Sequence, residues 1–186
     1  MRVIGGSAKG QRLNSLPGDN TRPTLDRVKE SMFNMIQLHL YDANVLDLFG
    51  GSGALGIEAL SRGARECSFV DEHPGSIGVI KENLKKTKLR DQSKVLCMDF
   101  RRALERIKAE NASFDLIFLD PPYGKGLLKE TLEIISRESL LEPDGLIIIE
   151  QDKKEALEAS KEDYMVWKER KYGNTVLQIL KRRSAQ

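Results

Sequence analysis

Cysteine and histidine are scarce, with two of each in 186 residues. Cys67 and Cys97 have no metal-ligand spacing and no histidine pair nearby, and His39 and His73 are too scattered for a histidine-based site, so no bound metal is expected. Both cysteines fall in apolar runs and read as reduced, buried thiols. No run of about 18 apolar residues exists, so no membrane-spanning helix is expected. Residues 1–6 lack the apolar core of a secretion signal. A cytoplasmic location is therefore expected. Internal repeats and low-complexity segments are also missing. One domain spanning 1–186 is expected, with 1–23 as a basic extension of low apolar content and 24–186 as the core.

What is present suits one sizeable core: 40% hydrophobic and 31% charged residues. The net charge of +2 hides an uneven distribution. Residues 1–30 carry six Lys/Arg against three Asp/Glu, and residues 167–186 carry six against one. Basic ends around an acidic middle suit a polyanionic partner held from the termini.

Short apolar runs alternate with amphipathic stretches. Strands are predicted at 45–49, 67–71, 94–98, 114–120 and 146–150, and helices at 54–62, 74–86, 100–110 and 125–136. That alternation predicts right-handed crossovers and a parallel sheet, and the unbroken runs 116–119 and 146–149 predict strands covered on both faces. Near the end, strands at 164–169 and 175–181 are joined by too few residues for a helix, so they should form a hairpin with one member antiparallel to the rest. A helix should begin at Thr24 as its N-cap, with Asp26 in the first turn and Leu25, Val28, Met32, Met35 and Ile36 on one face.

The first core strand runs into Gly50-Gly51-Ser52-Gly53-Ala54-Leu55-Gly56, in which Gly51, Gly53 and Gly56 match G-x-G-x-x-G. Asp71 ends the second strand, where a carboxylate can accept from both hydroxyls of an adenosine ribose. Asp99 and Phe100 end the third, where an acid can accept from the adenine amine and a ring can pack on the base. This much suits a nicotinamide dinucleotide or S-adenosylmethionine. Asp47, placed to attract a methionine ammonium, and the antiparallel terminal hairpin favour S-adenosylmethionine.

The fourth strand ends in Asp120-Pro121-Pro122-Tyr123. Consecutive prolines remove two backbone donors and stiffen the turn. Asp120 adds a carboxylate and Tyr123 a flat face on which a base swung out of its helix or loop could stack. An exocyclic amine on a base is a poor nucleophile because its lone pair is delocalised into the ring. Accepting both its hydrogens, from the Asp120 carboxylate and the Pro121 carbonyl, favours a pyramidal nitrogen held in line for attack.

These motifs resemble the RsmD-type methyltransferases. The resemblance rests on residues 47–64, on the Asp-Pro-Pro-Tyr turn, on Thr21-Arg22-Pro23-Thr24 with Asp26-Arg27-Val28-Lys29-Glu30, and on Tyr172-Gly173-Asn174-Thr175. It covers nearly the whole chain. Gly50 stands where that family often has Ala, and Asp71 where it often has Glu. The resemblance implies a Rossmann-like class I methyltransferase: a mostly parallel seven-stranded sheet with an antiparallel C-terminal strand and a small N-terminal β extension. It also implies methylation of the N2 amine of a guanine in 16S ribosomal RNA, within an assembling small-subunit particle. Lys9, Arg12 and Arg22 could contact RNA phosphates, and a monomer is expected. Three alternatives stay open: an N6-adenine or N4-cytosine nucleic-acid methyltransferase, an NAD-dependent oxidoreductase, and a non-catalytic RNA-binding module.

Overall fold

Continuous apolar runs need cover on both faces, and helices supply it. The structure, a computed structural model, describes residues 1–16, 23–122, 126–153 and 163–183. The five predicted core strands form as β1 (Asn44–Asp47), β2 (Glu66–Asp71), β3 (Ser93–Cys97), β4 (Phe114–Leu119) and β5 (Leu141–Asp152). Among the described residues five α-helices accompany them: α1 (Pro23–Met35), α2 (Ala54–Ser61), α3 (Pro74–Thr87), α4 (Phe100–Ala109) and α5 (Leu127–Arg137). The terminal hairpin is β6 (Tyr164–Tyr172) and β7 (Thr175–Arg182). The strands make one seven-stranded sheet in the order β3-β2-β1-β4-β5-β7-β6. β1 to β5 pair in parallel, whereas β7 lies antiparallel between β5 and β6. This is the Rossmann-like arrangement expected, and it puts the C-terminal ends of five parallel strands on one rim. No described helix is long and apolar enough to cross a membrane.

The sheet divides the core. On one face α1, α2 and α3 bury Phe33, Ile57, Ile80 and Phe118. On the other α4 and α5 bury Leu104, Ile107, Ile117 and Ile135. Gly56, the last glycine of the motif, is fixed by this packing. A Cβ there would come within 2.4 Å of the Phe69 ring and 2.6 Å of the Cys67 sulfur, so only glycine lets α2 settle on β2.

Several expectations are corrected. β5 starts at Leu141 and not at residue 146. Phe114 pairs with Leu141, and the register then shifts so that Leu116 meets Leu146. The intervening Pro143-Asp144-Gly145 reads locally as a turn, yet sheet pairing absorbs it. The hairpin connection narrows to Gly173 and Asn174, with Gly173 at φ +59°. α1 starts at Pro23, placing Thr24 inside the helix and not at its cap; proline is well suited to a first helical turn because its missing N–H has no partner there. β3 ends at Cys97, short of Asp99. Cys97 is exposed and Cys67 alone is buried, because β3 is an edge strand.

The N-terminal extension departs furthest from expectation. Among its described residues, its β character is one antiparallel bridge between Arg2 and Arg12. Its apolar residues are few, yet Val3, Ala8 and Leu13 are buried in the main core. They are held by α2. The Glu58 carboxylate, fully buried, accepts from the Ile4 and Gly5 amides at 2.8 Å each. It also pairs with the Lys29 ammonium at 3.1 Å and the Arg62 guanidinium at 2.8 Å. Lys29 donates in turn to the Arg2 carbonyl at 2.6 Å. Burial pulls the Lys29 pKa down, against the attraction of Glu58. Ser61 adds a hydroxyl that accepts from Ala8 N–H and donates to the Gly5 carbonyl. Gly6 sits at φ +76°, where a Cβ would fall 1.7 Å from the Ser61 carbonyl oxygen. Only glycine allows the extension to lie this close to the end of α2.

Candidate active site

The rim formed by the C-terminal ends of β1 to β5 opens on a cavity of about 710 Å³, within the roughly 300–1,000 Å³ range of small-ligand sites. The loop after β1 forms one wall. Gly50 N–H donates to the Val70 carbonyl at 2.9 Å, and Gly53 N–H to the Gly50 carbonyl at 2.6 Å. Gly53, at φ +76°, caps α2 without a side chain. At Gly51 a Cβ would meet nothing within 4 Å, so the loop backbone faces open space there. Gly50, Gly51 and Ser52 line the cavity.

Three acids surround that wall in different states. Asp47 is buried, and its carboxylate accepts from Gly56 N–H at 3.0 Å, tying β1 to the first turn of α2. Burial pushes its pKa up to about 7; the Gly56 hydrogen bond opposes this and the charge of Asp71 adds to it. Asp71, at the end of β2, accepts from Gly51 N–H at 2.9 Å and from His73 N–H at 2.8 Å. It therefore holds the glycine loop in shape while lining the cavity. Asp99 caps α4 by accepting from Arg101 N–H at 2.9 Å and pairs with the Arg101 guanidinium at 3.1 Å. Phe100 is nearly buried, its ring 5.5 Å from that of Phe49, with Arg101 over it at 4.4 Å. Asp99 and Phe100 both reach the cavity.

Asp47 also supplies a test of its buried state. An acid whose pKa is raised in the folded protein favours folding in its neutral form. Its presence should lower stability progressively as pH rises from about 4, the unfolded value, to about 7, with no further change above. Asp47→Asn removes that titration, so its stability relative to the unaltered protein should improve across this window. Urea midpoints of both proteins at pH 4 and pH 8 measure it; a difference independent of pH would show that Asp47 does not titrate there.

Another part of the lining comes from the end of β4. Asp120 is exposed and Pro122 lies beside it, and both line the same cavity as the glycine loop. Pro121 is buried beneath them. Tyr123 and Arg22 fall outside the described residues. Lys9 and Arg12 are exposed and do not line the cavity. The motif from the first strand and the motif from the fourth thus meet, because β1 and β4 are neighbours in the sheet.

Among the lining residues to which the sequence reading gave no role are Glu150 and Lys29. Glu150, near the end of β5, lines the cavity, and burial raises its pKa. A usable signal existed: it follows the apolar run 146–149 as Asp120 follows 116–119. Lys29 also lines the cavity, but nothing distinguishes a mid-helix lysine in sequence.

Comparisons with known proteins show the family of the chain. The family described as Conserved hypothetical protein 95 matches residues 1–181. The Bacillus subtilis protein YlbH is 44% identical over 98% of this chain and 100% of its own length. Ribosomal RNA small subunit methyltransferase D of Haemophilus influenzae is 33% identical over 93% of this chain and 89% of its own. The solved structure of Escherichia coli yhhF superposes with a TM-score of 0.85 at 29% identity, covering 100% of this chain and 99% of that one.

Proposed function

Because this chain belongs to the Conserved hypothetical protein 95 family, that of ribosomal RNA small subunit methyltransferase D, we propose that it methylates the N2 amine of a guanine in 16S ribosomal RNA, using S-adenosylmethionine. The observation that carries this reading is the meeting of the glycine loop and the Asp120–Pro122 turn in one cavity.

The residues fit the cofactor. The glycine loop at Gly50 to Gly53 offers backbone facing open space. Asp71 would accept from the ribose hydroxyls with lone pairs left over from Gly51 and His73. Asp99 and Phe100 would hold the adenine, and ionised Asp47 would draw the methionine ammonium. When bound, the cofactor supplies an electrophilic methyl on a sulfonium. The Asp120 carboxylate and Pro121 carbonyl accept the two hydrogens of the target amine and aim its lone pair at that methyl. Asp120 also takes the proton that the nitrogen releases once it carries the methyl. Tyr123 adds a stacking face for the extruded base.

The partner is proposed to be an assembling small-subunit particle in the cytoplasm, met by a single-domain monomer. Exposed Lys9 and Arg12, with Arg22, offer phosphate contacts, so binding should weaken steeply with salt. Target choice would rest on exposed loop bases and RNA shape.

The test is product identity. Small-subunit particles from cells lacking this protein, incubated with it and S-adenosylmethionine, should gain N2-methylguanosine when their RNA is digested and weighed. N6-methyladenosine or N4-methylcytosine in its place would move the reading to a different base.

A further inference from the structure

β4 and β5 pair in parallel with Leu119 opposite Ile149. Continuing that register one residue past the end of β4 sets Asp120 beside Glu150, on chains that a sheet spaces about 4.8 Å apart. Residues two apart along a strand share a face. Phe118 and Ile148 both belong to the core layer under α1 to α3, so Asp120 and Glu150 continue on that side, and both line the cavity. The sheet order adds a direction. β1, β2 and β3, whose ends carry the glycine loop, Asp71 and the approach to Asp99, lie on one side of β4, and β5 lies on the other. Glu150 thus stands beyond Asp120 from the proposed cofactor residues, on the side left for the substrate base.

Its chemical state is unusual for a carboxylate. Burial raises its pKa, and no donor or cation among the described residues bonds to it. Two cations that line the same cavity are engaged elsewhere: Lys29 by Glu58 and the Arg2 carbonyl, and Arg101 by Asp99 and Glu130. A half-buried carboxylate with no donor bonded to it among the described residues gains most from a ligand that brings one.

The bases with exocyclic amines differ in what flanks the amine. Guanine presents N1–H beside its N2 amine, a row of donors. Adenine and cytosine present a ring-nitrogen lone pair in the corresponding place. Two neighbouring carboxylates match the guanine pattern and repel the others, and an extruded base is read along this edge. We infer that Glu150 accepts the hydrogen bond of guanine N1–H while Asp120 holds the N2 amine, which makes Glu150 the residue that selects guanine. This rests on the guanine-methylation reading above.

The experiment compares small-subunit particles carrying guanine or 2,6-diaminopurine at the target position. Diaminopurine keeps the 2-amine but replaces N1–H with a lone pair. The unaltered protein should prefer guanine in kcat/KM. Glu150→Gln offers either an oxygen or an N–H, so guanine methylation should fall by about 10- to 100-fold while the preference over diaminopurine shrinks at least about tenfold. S-adenosylhomocysteine affinity and melting temperature should hold. Glu150→Asp keeps the charge and should keep the preference, which decides the matter if the Gln variant folds poorly. An unchanged base preference in Glu150→Gln, with both rates intact or both reduced together, overturns the assignment, as does its loss in Glu150→Asp. Failure of the reading beneath it appears elsewhere: the unaltered protein would then methylate no guanine at all.

Discussion

Asp120→Ala is expected to lower kcat for RNA methylation by about 10²- to 10³-fold, the typical cost of deleting one preorganised polar group at a reacting centre. Affinity for S-adenosylhomocysteine should change little. The sheet explains the separation: Asp120 leaves β4, whereas Asp71, Asp99 and the glycine loop leave β2, the β3–α4 connection and β1. All reach the same cavity, but Asp120 enters it from a strand that carries none of the proposed cofactor residues. Asp120→Asn keeps one acceptor oxygen and should retain more turnover than the alanine variant. Single-turnover methylation and calorimetry with S-adenosylhomocysteine measure the two quantities independently. Wild-type turnover in Asp120→Ala would remove Asp120 from the chemistry, and a parallel collapse of cofactor binding would recast it as a binding residue.

Glu58→Ala should be the most destabilising single change. It strips a fully buried carboxylate from Lys29 and Arg62 and leaves the Ile4 and Gly5 amides without acceptors. Breaking a buried pair by removing one partner costs about 3–5 kcal/mol, which for a chain of this length lowers Tm by roughly 10 °C or more. Glu58→Gln relieves little, because an amide cannot balance the Lys29 charge. Adding Lys29→Met to Glu58→Gln should recover part of the loss, since the uncompensated ammonium is then gone. Amide exchange at Ile4 and Gly5 should accelerate in Glu58→Ala, reporting release of the extension. Unaltered melting would mean that the N-terminal segment contributes nothing to the fold.

Much of the site was legible because strand ends carry chemistry in parallel sheets. Gly50 to Gly53, Asp71 and Asp120 each follow an apolar run, and each lines the cavity or shapes its wall. Asp99 was legible as a position, but its bonds to Arg101 were not, since a helix cap shows in sequence only as a short acid before an amphipathic stretch. Glu150 was overlooked although the same rule applied to it. Glu58 gave no warning. Set inside the apolar stretch of α2, it reads as that helix's solvent face, and it is buried because Lys29 from the middle of α1 and the N-terminal segment close over it.

The order of strands and helices, the hairpin and the glycine and proline turns were determined by the sequence itself, because hydrophobic period, turn chemistry and backbone restriction act over a few neighbouring residues. Which charges would be buried and which residues would line one cavity were decided only by the tertiary structure. Those properties depend on residues far apart in the chain, and desolvation and pairing take effect only where the fold brings them together.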